Sequence, residues 1–166
     1  MVEWNNVYIY IIIAGGVAII GSLLPWWVMS PELGGFPVQM GVNPIFGFLI
    51  LMQFIKTGPL VIVSGVIALV GGGLIFLAFM NKIYALIGGC LAIAGAAMFI
   101  PFFLIEGLWL YNGMGYAQVF LPLFGSIDLT ALGYGIFTTY LTYGFYMTIV
   151  GGVLAFVAAF KMRAVA

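Results

Sequence analysis

The sequence predicts an all-α integral membrane protein: four transmembrane helices forming two tandem helix-loop-helix repeats, with short interfacial helices in apolar external loops. Three observations predict it. Of 166 residues, 66% are apolar and only eight are charged, four acidic and four basic, against about a quarter charged in an ordinary soluble domain. Four uncharged apolar stretches are each long enough to cross a bilayer. The helices also match one another in pairs.

The stretches run at 7–28, 59–80, 83–105 and 139–160. Each spans about 33 Å as a helix, against a hydrocarbon core of about 30 Å. The first lacks the basic flank of a secretory signal, since its neighbouring charge is Glu3, and is read as a retained helix. Only Asn81 and Lys82 separate the second and third, which forces a tight hairpin. The loops at 29–58 and 106–138 then share the opposite side. Lys82, Lys161 and Arg163 with Glu3 give one side a charge of 3 − 1 = +2, and Lys56 with Glu32, Glu106 and Asp128 gives the other 1 − 3 = −2. The positive-inside bias therefore predicts a cytoplasmic-membrane protein with both termini cytoplasmic and both long loops external. Trp26, Trp27 and Trp109 are expected as interface anchors at the external side.

Two gapless alignments define the repeats, 7–80 and 83–160, within a single transmembrane domain. YIIIAGGVAIIGS from Tyr10 matches YALIGGCLAIAGA from Tyr84 at six of thirteen positions, and IVSGVIALVGG from Ile62 matches IVGGVLAFVAA from Ile149 at six of eleven. Within every span, small residues recur at four-residue intervals: Ala14, Ala18, Ser22; Ser64, Ala68, Gly72; Gly88, Ala92, Ala96; and Gly151, Ala155, Ala159, with Gly15 beside the first set. That spacing puts each set on one helix face, where backbones approach closely. A bundle packed on these faces is expected.

The external loops are unusually apolar. The first contains PIFGFLILMQFIK and the second VFLPLFGSI and ALGYGIFTTYLTYGFY, runs too short to span and read as interfacial segments. They form a surface for another subunit, a cap packed on itself or a substrate-binding lid, and the first reading leads. Lys56 and Glu106 are expected at similar depth as an external ion pair. Gln53, Thr139 and Thr142 are the polar residues nearest a solute path, though such hydroxyls commonly bond their own backbone.

Composition limits the chemistry. Without histidine there is no imidazole-ligated haem or zinc and no Ser-His or Cys-His pair. The single Cys90 has no partner for an internal disulfide. No basic run supports nucleic-acid binding. All eight charges fall at or beyond span ends, whereas ion-coupled transport needs an ionisable group at mid-membrane. No catalytic, metal or cofactor residue is assigned.

The arrangement of two long external loops, one short turn and cytoplasmic termini resembles the topology of claudin-like four-helix proteins. The claudin first-loop signature of tryptophan, Gly-Leu-Trp and two cysteines is missing; Gly107-Leu108-Trp109 follows the third span instead. The likeness is one of topology and carries no function. The leading functional expectation is a non-catalytic membrane subunit, docking through its apolar loops onto identical copies or other membrane subunits within the lipid bilayer. The alternatives are a passive pore or carrier for a small neutral solute, and a lipid- or quinone-binding accessory subunit using the three tryptophans.

Overall fold

A computed structural model of the chain describes residues 3–33, 36–37, 40–45, 55–106, 108–111, 116–120, 122–128, 130 and 135–163. It is mostly helical. Helix α1 is Glu3–Leu23, α2 Pro59–Phe76 continuing as a 3-10 turn Leu77–Phe79, α3 Lys82–Glu106 and α4 Tyr143–Arg163. Three helical stretches are long and apolar enough to cross a membrane: Pro59–Phe79, Lys82–Glu106 and Tyr143–Met162. The apolar part of α1, Val7–Leu23, is shorter.

Helix boundaries follow local chemistry. Pro59 stands at the first position of α2, where its missing N–H costs nothing. Asn81 accepts the Ile83 N–H on its side-chain oxygen at 3.0 Å and starts α3. The first span was expected to reach residue 28, but α1 ends at Leu23: Pro25 has no N–H with which to continue the helix, and Trp27 already lies in a strand. The fourth span begins at Tyr143 rather than Thr139, because Thr139 too belongs to a strand.

The all-α expectation is corrected in the loops, whose described parts form strands rather than interfacial helices. These are β1 (Trp27–Leu33), β2 (Phe36–Pro37), β3 (Met40–Val42), β4 (Ile55–Thr57), β5 (Leu108–Tyr111), β6 (Tyr116–Val119), β7 (Gly125–Asp128) and β8 (Ile136–Leu141). One sheet runs β2-β1-β8-β7 with β3 also paired to β1, and a second runs β4-β5-β6. The reason is visible in β8, IFTTYL, where Phe137, Thr139 and Leu141 are buried and Ile136, Thr138 and Tyr140 are exposed. Such two-residue alternation of β-branched and aromatic residues satisfies a sheet with one covered face, yet a hydropathy average cannot see it. The run from Phe46 to Phe54 lies outside the described residues.

Strands are exchanged between the halves of the chain. β1 pairs antiparallel with β8, Trp27 opposite Leu141 and Ser30 opposite Thr138. β4 pairs antiparallel with β5, Lys56 opposite Trp109. Each partnership joins a strand from the first half to one from the second, so the two loops build a common cap at one end of the bundle. The helices pack the same way, most extensively α2 with α3 and α1 with α4.

The bundle is inverted relative to a protein folded in water. Its interior is lined by small residues, while Ile9, Ile12, Ile13, Ile20, Val63, Val66, Val70, Val150, Val153 and Val157 point outward. In water this would leave the largest apolar surfaces unburied. In lipid, where tails are as apolar as leucine, nothing is lost by it and close backbone packing decides the interior. A larger apolar core lies only under the cap, where the Trp26 ring meets Phe99 and Phe145 edge-on at 5.4 and 6.0 Å and Trp27 meets Phe103 at 4.8 Å.

Backbones approach closely between α2 and α3. A Cβ at Gly71 would lie 2.5 Å from the Ala92 nitrogen and 2.7 Å from the Gly88 oxygen. Two residues on, a Cβ at Gly73 would meet nothing within 4 Å. Gly71→Ala is therefore predicted to lower the unfolding free energy in detergent by about 1–3 kcal/mol through overpacking. Gly73→Ala is predicted to leave it unchanged or raise it by up to ~1 kcal/mol, from helix propensity alone. Chemical denaturation of both variants measures the contrast.

Candidate functional site

The polar groups that organise the molecule sit where cap meets bundle. Helix ends leave backbone groups without intrahelical partners, and here partners come from distant segments. At the end of α1, the Asn43 side-chain amide donates to the Ser22 and Leu24 carbonyls at 3.1 and 2.9 Å. Its side-chain oxygen accepts the Ile45 N–H at 2.8 Å. At the end of α3, Gln118 on β6 donates to the Glu106 carbonyl at 2.7 Å. Each long loop thus supplies an amide side chain that closes the preceding helix.

The start of α2 is held by an acid 45 residues away. Glu106 Oε2 accepts the backbone N–H groups of Leu60 at 2.9 Å and Val61 at 3.2 Å. Gly58, the residue before the helix, offers no side-chain cap. The carboxylate takes over that role and meets the positive end of the α2 dipole, offsetting its unfavourable place at the negative end of α3. A Cβ on Gly58 would fall onto this carboxylate; only glycine leaves room. At the start of α4, Thr142 donates its hydroxyl to the Pro25 carbonyl and its backbone N–H to the Trp26 carbonyl at 2.9 Å.

The small residues all lie in the helix seams. Ala14, Ala18, Ser22, Ser64, Ala68, Gly72, Gly88, Ala92, Ala96, Gly151, Ala155 and Ala159 are buried, as is Gly15. A Cβ on Gly151 would come within 2.5 Å of the Ala18 nitrogen, joining α4 to α1. The α1–α2 seam is filled differently: Gly72 abuts Ile19, Gly15 abuts the Phe76 ring, and Gly65 abuts Pro44 and Ile45 from the first loop.

Trp26 and Trp27, expected at the membrane interface, are instead fully buried beneath the cap. The sheet covers them, and Trp26 donates its indole N–H to the Gly21 carbonyl at 2.8 Å. The Trp27 indole nitrogen is buried and has no hydrogen-bond partner among the described residues. Trp109 is placed by its backbone pairing with Lys56 and Gln118. The Lys56 and Trp109 side chains lie outside the described residues, as does Gln53, so the expected Lys56–Glu106 pair is represented only by its acid, whose carboxylate is engaged by α2.

Buried hydroxyls are turned to backbone. Ser22 donates to the Ala18 carbonyl at 2.7 Å, Ser64 to Val61 at 2.6 Å, Thr148 to Gly144 at 2.8 Å and Thr139 to Pro122 at 2.7 Å. Among the described residues, no group of three or more Cys, Asp and Glu side chains is placed to hold a metal ion. The arrangement closes helix ends and locks the cap.

Asn43, Gln118 and Gly58 escaped sequence reasoning. The one available signal was a Gly58-Pro59 helix start with no Ser, Thr, Asp or Asn to cap it. Comparison with protein families, curated proteins and solved structures finds no match.

Losing a helix cap costs about 0.5–2 kcal/mol, so Glu106→Ala is predicted to destabilise the protein by about that much. Gly58→Ala should also destabilise, but less in the Glu106→Ala background, where the carboxylate contacts are gone and only the 2.8 Å approach to the Cβ at position 106 remains. A double-mutant cycle in detergent reads this coupling. At the exposed Asp128, the Thr130 hydroxyl and backbone N–H donate to the carboxylate and lower its pKa. The small stability this gives is present above the ordinary aspartate range and is lost as pH falls through the lowered value. Thr130→Val is predicted to move the Asp128 titration, followed by NMR, back toward the ordinary range.

Proposed function

We propose that the chain is a non-catalytic integral membrane subunit that crosses the bilayer four times and docks through its external cap onto identical copies or other membrane subunits. In this reading the termini and the Asn81 turn are cytoplasmic and both long loops are external. The carrying observation is a bundle closed upon itself, with backbones in contact along the α2–α3 and α1–α4 seams and its buried Ser and Thr hydroxyls bonded to backbone carbonyls.

Closely packed helices leave little room for a solute path between them, which weighs against a pore along the bundle axis. Two of the three indoles that a quinone would need, those of Trp26 and Trp27, are already packed against Phe99, Phe103 and Phe145, which weighs against the accessory quinone reading. Support for four crossings comes from α1 lying along α4, so that its apolar stretch Val7–Leu23 shares the depth of the longer apolar stretch Tyr143–Met162. Support for the orientation comes from charge: Lys82 and Lys161 belong to the end opposite the cap, where Lys161 stacks over the Tyr10 ring at 3.9 Å.

Purification in mild detergent followed by native mass spectrometry is predicted to show self-assembly or a co-purifying membrane protein; a monodisperse monomer without partner contradicts the proposal. Liposomes containing the protein are predicted to pass water and small neutral solutes no faster than empty vesicles, and a clear increment would favour the pore instead.

A further inference from the structure

The cap exposes two large aromatic side chains that packing within the chain does not explain. Phe120 is 57% exposed and Phe124 59% exposed, while Leu123 and Ile127 beside them pack inward on the cap core. The segment from Val119 to Ile127 contains no charge.

Register fixes the height of these residues. Val119 on β6 lies opposite Leu108 on β5, so Phe120 falls level with the end of α3. The Gln118 bond to the Glu106 carbonyl holds it there. Gly125 lies opposite Thr139, which sets Phe124 level with Tyr140, three residues before α4 begins, or about 10 Å at ~3.4 Å per residue. Thr139 ties this corner down by donating to the Pro122 carbonyl. Strand β6 descends toward the helices and β7 climbs away, so the corner between them is the part of this hairpin nearest the helix ends. Tyr140, Tyr143 and Tyr146 are exposed around the start of α4, Tyr143 at 83%, over about 15 Å by the strand and helix rises. A band of aromatic rings beside helix ends is the pattern of a membrane interface.

We infer that Phe120 and Phe124 insert into the headgroup and acyl boundary of the outer leaflet, making the β6–β7 corner a lipid contact that seats the cap on the bilayer. The inference rests on the membrane-spanning reading proposed above. A lipid surface suits the corner better than a protein partner, because two apolar rings at headgroup depth, on an uncharged segment, face the acyl boundary with no polar group to be satisfied. The sides of the cap away from the bilayer stay open to a partner.

Nitroxide labels on single cysteines in a Cys90→Ala full-length chain, reconstituted in phosphatidylcholine vesicles, test this. Phe120→Cys and Phe124→Cys should relax strongly with oxygen and be several-fold less accessible to a water-soluble nickel chelate than Asp128→Cys at the far end of β7. Nickel accessibility equal to that of Asp128→Cys would overturn the inference, as would inaccessibility to both reagents, the mark of a protein contact. A label at Val153→Cys, outward on α4, should be oxygen-accessible and nickel-protected whatever the corner does. If that control fails, the spanning reading fails rather than the corner assignment.

Discussion

The structure depends on how closely the helix backbones approach across the α2–α3 and α1–α4 seams. In the lipid setting proposed for this bundle there is no hydrophobic drive to bring helices together, so association would rely on dispersion contacts of about 0.1–0.2 kcal/mol per atom pair, summed over a long interface. Such contacts exist only if side chains at the seam are nearly absent. Gly71 against Ala92 and Gly151 against Ala18 meet that condition. One bulky residue at either place would separate two helices along much of their length.

The cap inherits its geometry from these seams. Because α1 packs on α4 and α2 on α3, the strand leaving α1 emerges beside the strand entering α4, and the strand leaving α3 beside the strand entering α2. The β1–β8 and β4–β5 pairings follow. Glu106 carries the logic to a single group: the last residue of α3 reaches the first turn of its neighbour α2. Loops joined in this way cannot rearrange independently, and a cap that shields Trp26 and Trp27 resolves much of the puzzle of apolar loops outside a membrane.

The helices were legible because their signals are local. Uncharged length marks all four, of which three are helices long and apolar enough to cross a membrane, and the Ala, Ser and Gly positions at four-residue spacing coincide with the buried faces of all four. The sheet was hidden by the same composition. Ile136–Leu141 is apolar on average, so a hydropathy window merges Thr139 into a span, while the two-residue alternation that makes it a strand appears only when faces are separated. Trp26 and Trp27 were misplaced because a tryptophan at a span end ordinarily marks the interface, and nothing local reveals a lid contributed partly by residues 136–141. The Glu106 cap depends on a contact 45 residues apart, beyond any spacing rule. Function was least legible, since the chain holds few polar side chains and several of those described are spent on helix ends.

Sidedness tests the account most directly. In intact cells carrying the Cys90→Ala chain, a membrane-impermeant thiol reagent should label Asp128→Cys at once. Asn81→Cys should react only after permeabilisation, because the proposed topology puts the helical hairpin and the cap on opposite sides of the bilayer. Equal labelling of both positions in intact cells would contradict it, since α3 would then not cross the membrane.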